Sequence, residues 1–211
     1  MKTAIYGAGG FGKEVKTALD DCVRQGVDFD FLGYFDDRDL RGVLGRYYLG
    51  GVREINSWPT PLQLVVAMGW SHVRKKAVAK INNSNIVFPN VVSPRAIRGN
   101  EAKVRMGKGC IVLAGANLTT DIQLDDFVVV NINATVGHDV HLKSFTSIMP
   151  SVNVSGNVQI GEGAFVGSGA TILQELKVGD YSIVGAGAVV TRPVEDFSTV
   201  AGVPARLIRK H

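Results

Sequence analysis

The sequence predicts two folds in series: a small α/β domain with a parallel sheet, then a parallel β-helix of stacked triangular coils. Three observations predict this. Strand-like and helix-like stretches alternate up to about residue 85. Beyond them an aliphatic residue or Met stands at every sixth position from Met106 to Val190. The 25 glycines follow no Gly-X-Y period, which leaves a turn-rich repeat to account for them.

In the first part, "TAIYG" reads as a short buried strand. "GFGKEVKTALDDCVRQG" follows as a helix, with Val15, Leu19 and Val23 on one face and Gly26 ending it. "FDFLGYFDD" and "LQLVVAMG" are a second and a third strand. "SHVRKKAVAKIN" is a second helix for which Ser71 is the expected N-cap. Residues 1–85 form this domain. Residues 86–103, "IVFPNVVSPRAIRGNEAK", keep the six-residue ladder poorly and read as a linker plus an irregular first coil.

Residues 104–211 form the β-helix. The ladder runs Met106, Val112, Leu118, Leu124, Val130, Val136, Leu142, Ile148, Val154, Ile160, Val166, Ile172, Val178, Val184, Val190. Small or β-branched residues stand two positions earlier in most steps, as at Ala116, Ala134, Thr146, Ala164, Ala170, Ser182 and Ala188. A period of six falls out of step with an α-helix at 3.6 residues per turn. It fits a short strand plus a turn, and three such units close a triangular coil with the ladder inside.

Composition narrows the function classes. A net charge of +4 without a dense Lys/Arg block gives no reason to expect a nucleic-acid partner. Two cysteines, Cys22 and Cys110, without a CxxC, argue against a disulfide framework or a zinc site, so no metal is expected. The opening "MKTAIYGAGG" lacks the apolar h-region expected of a signal peptide, and no apolar run approaches a membrane span. A cytoplasmic protein is expected.

Two of the four histidines stand together in "ATVGHDVHL". His141 lies between inward Val140 and Leu142 and therefore points outward, as an ordinary surface group. His138 lies two residues past inward Val136, at a corner, after Gly137 and before Asp139. Imidazole has a free pKa of about 6.5 and suits proton transfer near neutral pH, and an adjacent carboxylate can fix its tautomer. Cys110 falls on the inward row and reads as core filler.

The repeat, the histidine and the tail together resemble the hexapeptide-repeat acyltransferases, in the branch of bacterial nucleotide-aminosugar N-acetyltransferases and sialic-acid O-acetyltransferases. "GAGGFGKE", "GYFDD", "GHDV", "VGAGAVV" and "AGVPAR" carry the resemblance over essentially the whole chain. It implies a left-handed β-helix, acetyl-CoA as acyl donor, and a homotrimer with its sites between subunits. It implies His138 as general base for direct attack of an amine on the thioester, with Asp139 beside it. Asp is a methylene shorter than the Glu of some members, so contact between the two is an open point. The resemblance places Gly156 close to the acetyl group and sets Ser147 where a CoA-contacting histidine can stand. It assigns the cofactor tail to Gly167, Ser168, Gly185, Ala186, Gly187 and Arg206, where bare backbone lies beside an extended arm and Arg206 can neutralise phosphate.

"GAGGFG" fits G-x-G-x-x-G after a strand and at the start of a helix. A nicotinamide-binding oligomer is one reading, with Asp36 as its ribose acid. The domain is short for that, and a nucleotide sugar is the favoured ligand. Gly9, Gly10, Phe11 and Lys13 would then meet the diphosphate, Asp36 and Asp37 the base, and Gly69 would let the ligand pass. An O-acetyltransferase of sialic-acid biosynthesis remains the alternative activity.

Overall fold

The structure is a computed structural model that describes residues 1–211. Strands β1 (Lys2–Tyr6), β2 (Asp30–Phe35), β3 (Leu62–Val66) and β4 (Ile86–Val87) form one parallel sheet in the order β2-β1-β3-β4. Central strands β1 and β3 are buried along almost their whole length, as expected of a sheet covered on both sides. Helix α1 (Gly10–Arg24) turns Val15, Ala18, Leu19 and Cys22 inward. Two short helices, α2 (Arg41–Leu44) and α3 (Val52–Asn56), separate β2 from β3, and α4 (Ser71–Ala79) leads from β3 towards β4.

From Val91 the chain winds as a three-faced solenoid. Face I holds Ile111–Val112, Val129–Val130, Ser147–Ile148, Phe165–Val166 and Ile183–Val184; face II holds Asn117–Leu118, Thr135–Val136, Asn153–Val154 and Thr171–Ile172. Face III holds Ile122–Leu124, His141–Leu142, Gln159–Ile160 and Lys177–Val178. Each strand pairs in parallel with its equivalents one coil away: Thr135 with Asn117 and Asn153, His141 with Gln123 and Gln159. The aliphatic ladder and the small residues two positions earlier both point inward and are buried, apart from Met106 at the first rung, which is partly buried. Inward hydroxyls are satisfied at the corners: Ser182 donates to the Gly179 carbonyl at 2.7 Å and Thr146 to that of Gly161 at 2.9 Å. Ser198–Ala201 and Arg206–Lys210 close face I as an antiparallel pair.

From Gly109 to Gly187 each corner turns through one residue in the left-handed region, recurring every six residues, and nine of these are not glycine: Asp121, Phe127, Asn133, Asp139, Phe145, Ser151, Asn157, Glu175 and Tyr181, with φ between 53° and 62°. The period of six is thus a backbone period as well as a side-chain one. It also makes Asp139 a corner residue in its own right, a conformation that Asp and Asn tolerate better than most.

The segment 86–103, expected as a linker plus an irregular first coil, is shared between the two parts. Ile86–Val87 belongs to the α/β sheet, while Val91–Val92 and Ile97–Arg98 already pair in register with the next coil. The ladder is weak there because a terminal coil is covered on one side only. The α/β domain sits on face I. Trp70 stacks on Phe165 with ring centroids 4.2 Å apart, and Lys75 pairs with Glu162 at 2.7 Å. Ser71 is the first residue of α4 rather than its cap; its hydroxyl donates to the Ala164 carbonyl at 3.1 Å. Contact with the solenoid outcompetes capping at that position.

Asp36, just past β2, ties the strand ends together. Its Oδ2 accepts the Ala8 N–H at 2.9 Å, and Arg38 grips both oxygens through Nε at 2.8 Å and Nη2 at 2.9 Å. The Arg38 guanidinium, with these N–H bonds, holds the carboxyl at about 2, below its ordinary 3.8. A depressed folded pKa stabilises above the unfolded value and stops doing so as pH falls through the folded one. Two predictions follow from this architecture. Asp36→Asn should lower unfolding free energy by about 2 kcal/mol at pH 7, and the deficit should shrink between pH 4 and 2; denaturant titrations across that range would refute it if the gap stayed constant. At the exposed corner residue Glu175 (φ 62°), valine should cost about 1–2 kcal/mol and glycine should not, as read from urea midpoints.

Candidate active site

Strand order reverses between β1 and β3, so the crevice outside their carboxyl ends is the switch point at which open parallel sheets bind nucleotides. Gly7–Gly12 leave β1 there and Gly69 leaves β3. The glycines of the first loop have two different jobs. A Cβ on Gly7 (φ +108°) would lie 2.7 Å from the Ala67 carbonyl, and one on Gly12 would lie 2.0 Å from that of Gly7. These two serve packing. Gly9 and Gly10 face open space, with nothing within 4 Å of a Cβ. The first turn of α1 has no side-chain cap and no acidic residue, which leaves its N–H groups free for an anion. Phe11 is half-buried against the α/β core and Lys13 is exposed on α1. Gly69 also opens onto free space, while its carbonyl accepts from Ser147 Oγ at 2.8 Å and from Arg74 Nη1 at 3.3 Å.

The two acids after β2 part company. Asp36 was expected to accept a hydrogen bond from a base; instead both its oxygens are engaged by Ala8 and Arg38, so its role is to hold the loop. Asp37 keeps capacity. Its Oδ1 accepts from the Tyr6 hydroxyl at 2.9 Å and the Val52 N–H at 3.1 Å, and Oδ2 meets only Lys80 at 3.4 Å. It borders an open cavity of about 300 Å³ with Tyr48, Gly51 and Glu54. Burial, reinforced by Asp37, pushes the Tyr6 hydroxyl well above the ordinary phenol range, so it stays a donor.

His138 stands at the corner between faces II and III. Asp139 reaches back to it: Nδ1 and Oδ2 are 2.8 Å apart. A carboxylate there favours the proton on Nδ1 and leaves Nε2 as the free lone pair. The coil below is cut away to fit. A Cβ on Gly156 would lie 2.4 Å from His138 Nε2, and one on Gly137 would lie 2.7 Å from the Gly156 nitrogen. The Asn157 N–H holds the His138 carbonyl at 2.8 Å, and the Gly156 N–H has no acceptor within the chain. His141, by contrast, is half-buried with Nε2 against Asp125 at 3.0 Å. Cys110 is buried; desolvation pushes its thiol up to about 11, and it lies 3.1 Å from the Asp125 carbonyl.

The residues assigned to CoA lie on another corner, between faces I and II. Ser168, Ala186 and Gly187 are exposed there, whereas Gly167 and Gly185 are fitted against the coil below. A Cβ on Gly167 would lie 2.7 Å from the Ala186 nitrogen. Arg206 is exposed and shares a cavity of about 210 Å³ with Arg192 and Leu207. Ser147 does not belong with them. It is fully buried under the α/β domain, bonded to Gly69, Ser71 and Arg74, so the expected contact with CoA gives way to an interdomain one.

The residue that sequence reasoning missed is Arg74. It is fully buried and its guanidinium donates to five carbonyls and a hydroxyl: Met68 at 2.6 Å, Gly69, Phe127 at 2.9 Å, Phe145 at 2.8 Å, Thr146 at 3.1 Å and Ser147 Oγ at 3.0 Å. The signal was spacing: Ser71, Arg74 and Ala77 share one face of α4, and all three are buried.

Comparison with known proteins accords with this geometry. Residues 2–81 match the PglD N-terminal domain family, and residues 157–192 match the bacterial transferase hexapeptide family (six repeats). No curated protein matches the sequence. The acetyltransferase domain of PglB from Neisseria gonorrhoeae FA1090, in complex with acetyl coenzyme A, is 33% identical, with a TM-score of 0.86 over 98% of each chain. A mutant of perosamine N-acetyltransferase from Caulobacter crescentus, in complex with CoA and GDP-perosamine, is 29% identical, with a TM-score of 0.87 over 100% of this chain and 98% of that one. WeeI from Acinetobacter baumannii AYE is 28% identical, with a TM-score of 0.82 over 99% of this chain and 100% of the other. An α/β domain and a left-handed β-helix that match end to end place the chain among the hexapeptide-repeat acetyltransferases, in the nucleotide-aminosugar N-acetyltransferase branch to which it belongs.

Proposed function

We propose that the protein transfers acetyl from acetyl-CoA to the amino group of a nucleotide-linked aminosugar, in the cytoplasm, for a bacterial surface glycan or glycoprotein. The observation that carries it is His138: its Nδ1 is held by Asp139 at 2.8 Å and its Nε2 stands free above a glycine. In this reading Nε2 takes the proton of the attacking amine while nitrogen bonds to the thioester carbon. The tetrahedral oxyanion needs an N–H donor, and the unpaired Gly156 N–H is the nearest backbone candidate. Collapse breaks the carbon–sulfur bond, and the departing thiolate recovers the proton from His138. Gly9, Gly10, Phe11 and Lys13 hold the diphosphate, Gly69 lets the sugar pass, and of the two acids expected to meet the base, Asp37 does so while Asp36 holds the loop. Ser168, Gly185, Ala186, Gly187 and Arg206 take the CoA arm and phosphates.

Topology supports a site shared between subunits. The nucleotide crevice and the CoA corner both lie by face I, whereas His138 lies on the far side of face II. One chain therefore keeps its base apart from its own nucleotide loop by the width of a sheet. A homotrimer in which each His138 meets a neighbour's crevice brings them together.

Two outcomes test this. His138→Ala should lower turnover by about 10²–10⁴-fold while calorimetry still finds CoA binding; an undiminished rate removes His138 from the role. Co-expressing His138→Ala with Gly10→Val chains, each inactive alone, should restore about a quarter of wild-type turnover under random mixing in a closed ring. No recovery in verified mixed trimers would mean that base and nucleotide loop come from one chain.

A further inference from the structure

We infer that Arg74 is a positioning residue for the transfer, fixing the distance between the nucleotide-sugar loop and the solenoid by binding both through their carbonyls. This rests on the reading just proposed. The guanidinium is divided between the two parts. On the α/β side it holds Met68 O and Gly69 O, the segment that leaves β3 into the nucleotide crevice. On the solenoid side it holds Phe127 O, Phe145 O and Thr146 O, from two successive corners between faces III and I. Ser147 Oγ joins the halves, accepting from Arg74 at 3.0 Å and donating to Gly69 O at 2.8 Å.

The choice of residue follows from what must be bridged. These acceptors are neutral carbonyls spread in several directions, and a planar fork with five N–H donors reaches them where a lysine ammonium cannot. No carboxylate takes part. A buried cation without an acid is a costly arrangement for stability alone, and apolar packing would serve a purely structural seam as well. What the fork adds is a fixed geometry at Gly69, where the ligand passes. Displacing bound groups by about 1 Å from productive alignment costs on the order of 10²-fold in rate.

The test compares wild type, Arg74→Lys and Ser147→Ala, the second being the milder change should the first fold poorly. Steady-state kinetics with an aminosugar nucleotide would be normalised to folded protein by CoA-binding stoichiometry. Local hydrogen exchange would be followed over residues 67–71. The expected result is kcat lower by about tenfold or more in Arg74→Lys and several-fold in Ser147→Ala, with the KM for acetyl-CoA unchanged. Exchange in 67–71 should quicken about tenfold while face II strands keep wild-type protection. Wild-type kcat and exchange in both variants would overturn the inference. So would a fall in kcat that vanishes on normalisation, since that is loss of folded protein only. If the wild type turns over no aminosugar nucleotide, the proposed function fails, and the exchange of 67–71 still decides whether Arg74 fixes the loop.

Discussion

Coil-on-coil stacking in parallel register is the constraint on which the rest depends. Each residue of the solenoid sits on the one a full coil away, and face I, II and III strands bond straight up and down. Three consequences reach the active site. The ladder must be filled without voids, so each ladder aliphatic is backed two residues earlier by an inward side chain that is small in some coils, such as Ala116 and Ala164, and aliphatic in others, such as Ile122 and Val158. The corners must turn through the left-handed region, which puts Asp139 at φ 58° beside His138. A side chain that leans over a corner needs an empty position on the next coil, and Gly156 supplies one under the His138 ring. The His138–Asp139 pair is therefore as much a product of the stacking rule as the core is.

The seam between the two parts obeys a different rule. Burial pushes Arg74 down to about 9, because desolvation disfavours its charge and no acid repays it. That is still above neutral pH, so the cation persists. Around it polar contacts join two apolar clusters that span the seam: Ile5, Val15 and Leu19 pack with Ile111, Leu113 and Val129, and Tyr6 and Leu64 belong to one cluster with Phe127, beside the Trp70–Phe165 stack, the Lys75–Glu162 pair with Tyr181, and the Ser71–Ser147 hydroxyls. The apolar clusters hold the two parts together, and the buried polar groups between them leave only one arrangement in which all are satisfied. Such uniqueness suits an interface whose task is to hold a loop in place.

Much of this was legible in the sequence. The six-residue period alone sorted His138 from His141, because phase decides which residues face in, out or to a corner. The strand–glycine–helix pattern placed the crevice. What the sequence did not disclose was long-range partnership. Asp36 and Asp37 look alike as "DD", yet one is consumed by Ala8 and Arg38 and the other is not. Ser147 occupies an outward position, and outward normally means solvent; here it means the underside of another domain. Ser71 had the right type and place for a cap and was claimed instead by a carbonyl 93 residues away. Local propensity and period cannot see these claims, since they arise only where the two parts meet.

The same placements bear on the course of the reaction. A two-step route through a cysteine would need a thiolate within reach of the thioester. Cys110 faces the solenoid core and burial pushes it up to about 11, while Cys22 is packed under α1 with Sγ 3.2 Å from the Val92 carbonyl. Neither is ionised or exposed. That leaves the proposed base, His138, which stands on an open corner beside a free N–H and a hollow made by two glycines. In the proposed mechanism such a base does nothing until acceptor and donor are both present, because the proton it would take belongs to the amine as that amine attacks. Under the proposed assignment, the division of these elements between corners would enforce this dependence: the chemistry would wait on the loop, the CoA corner and the histidine being brought to one point.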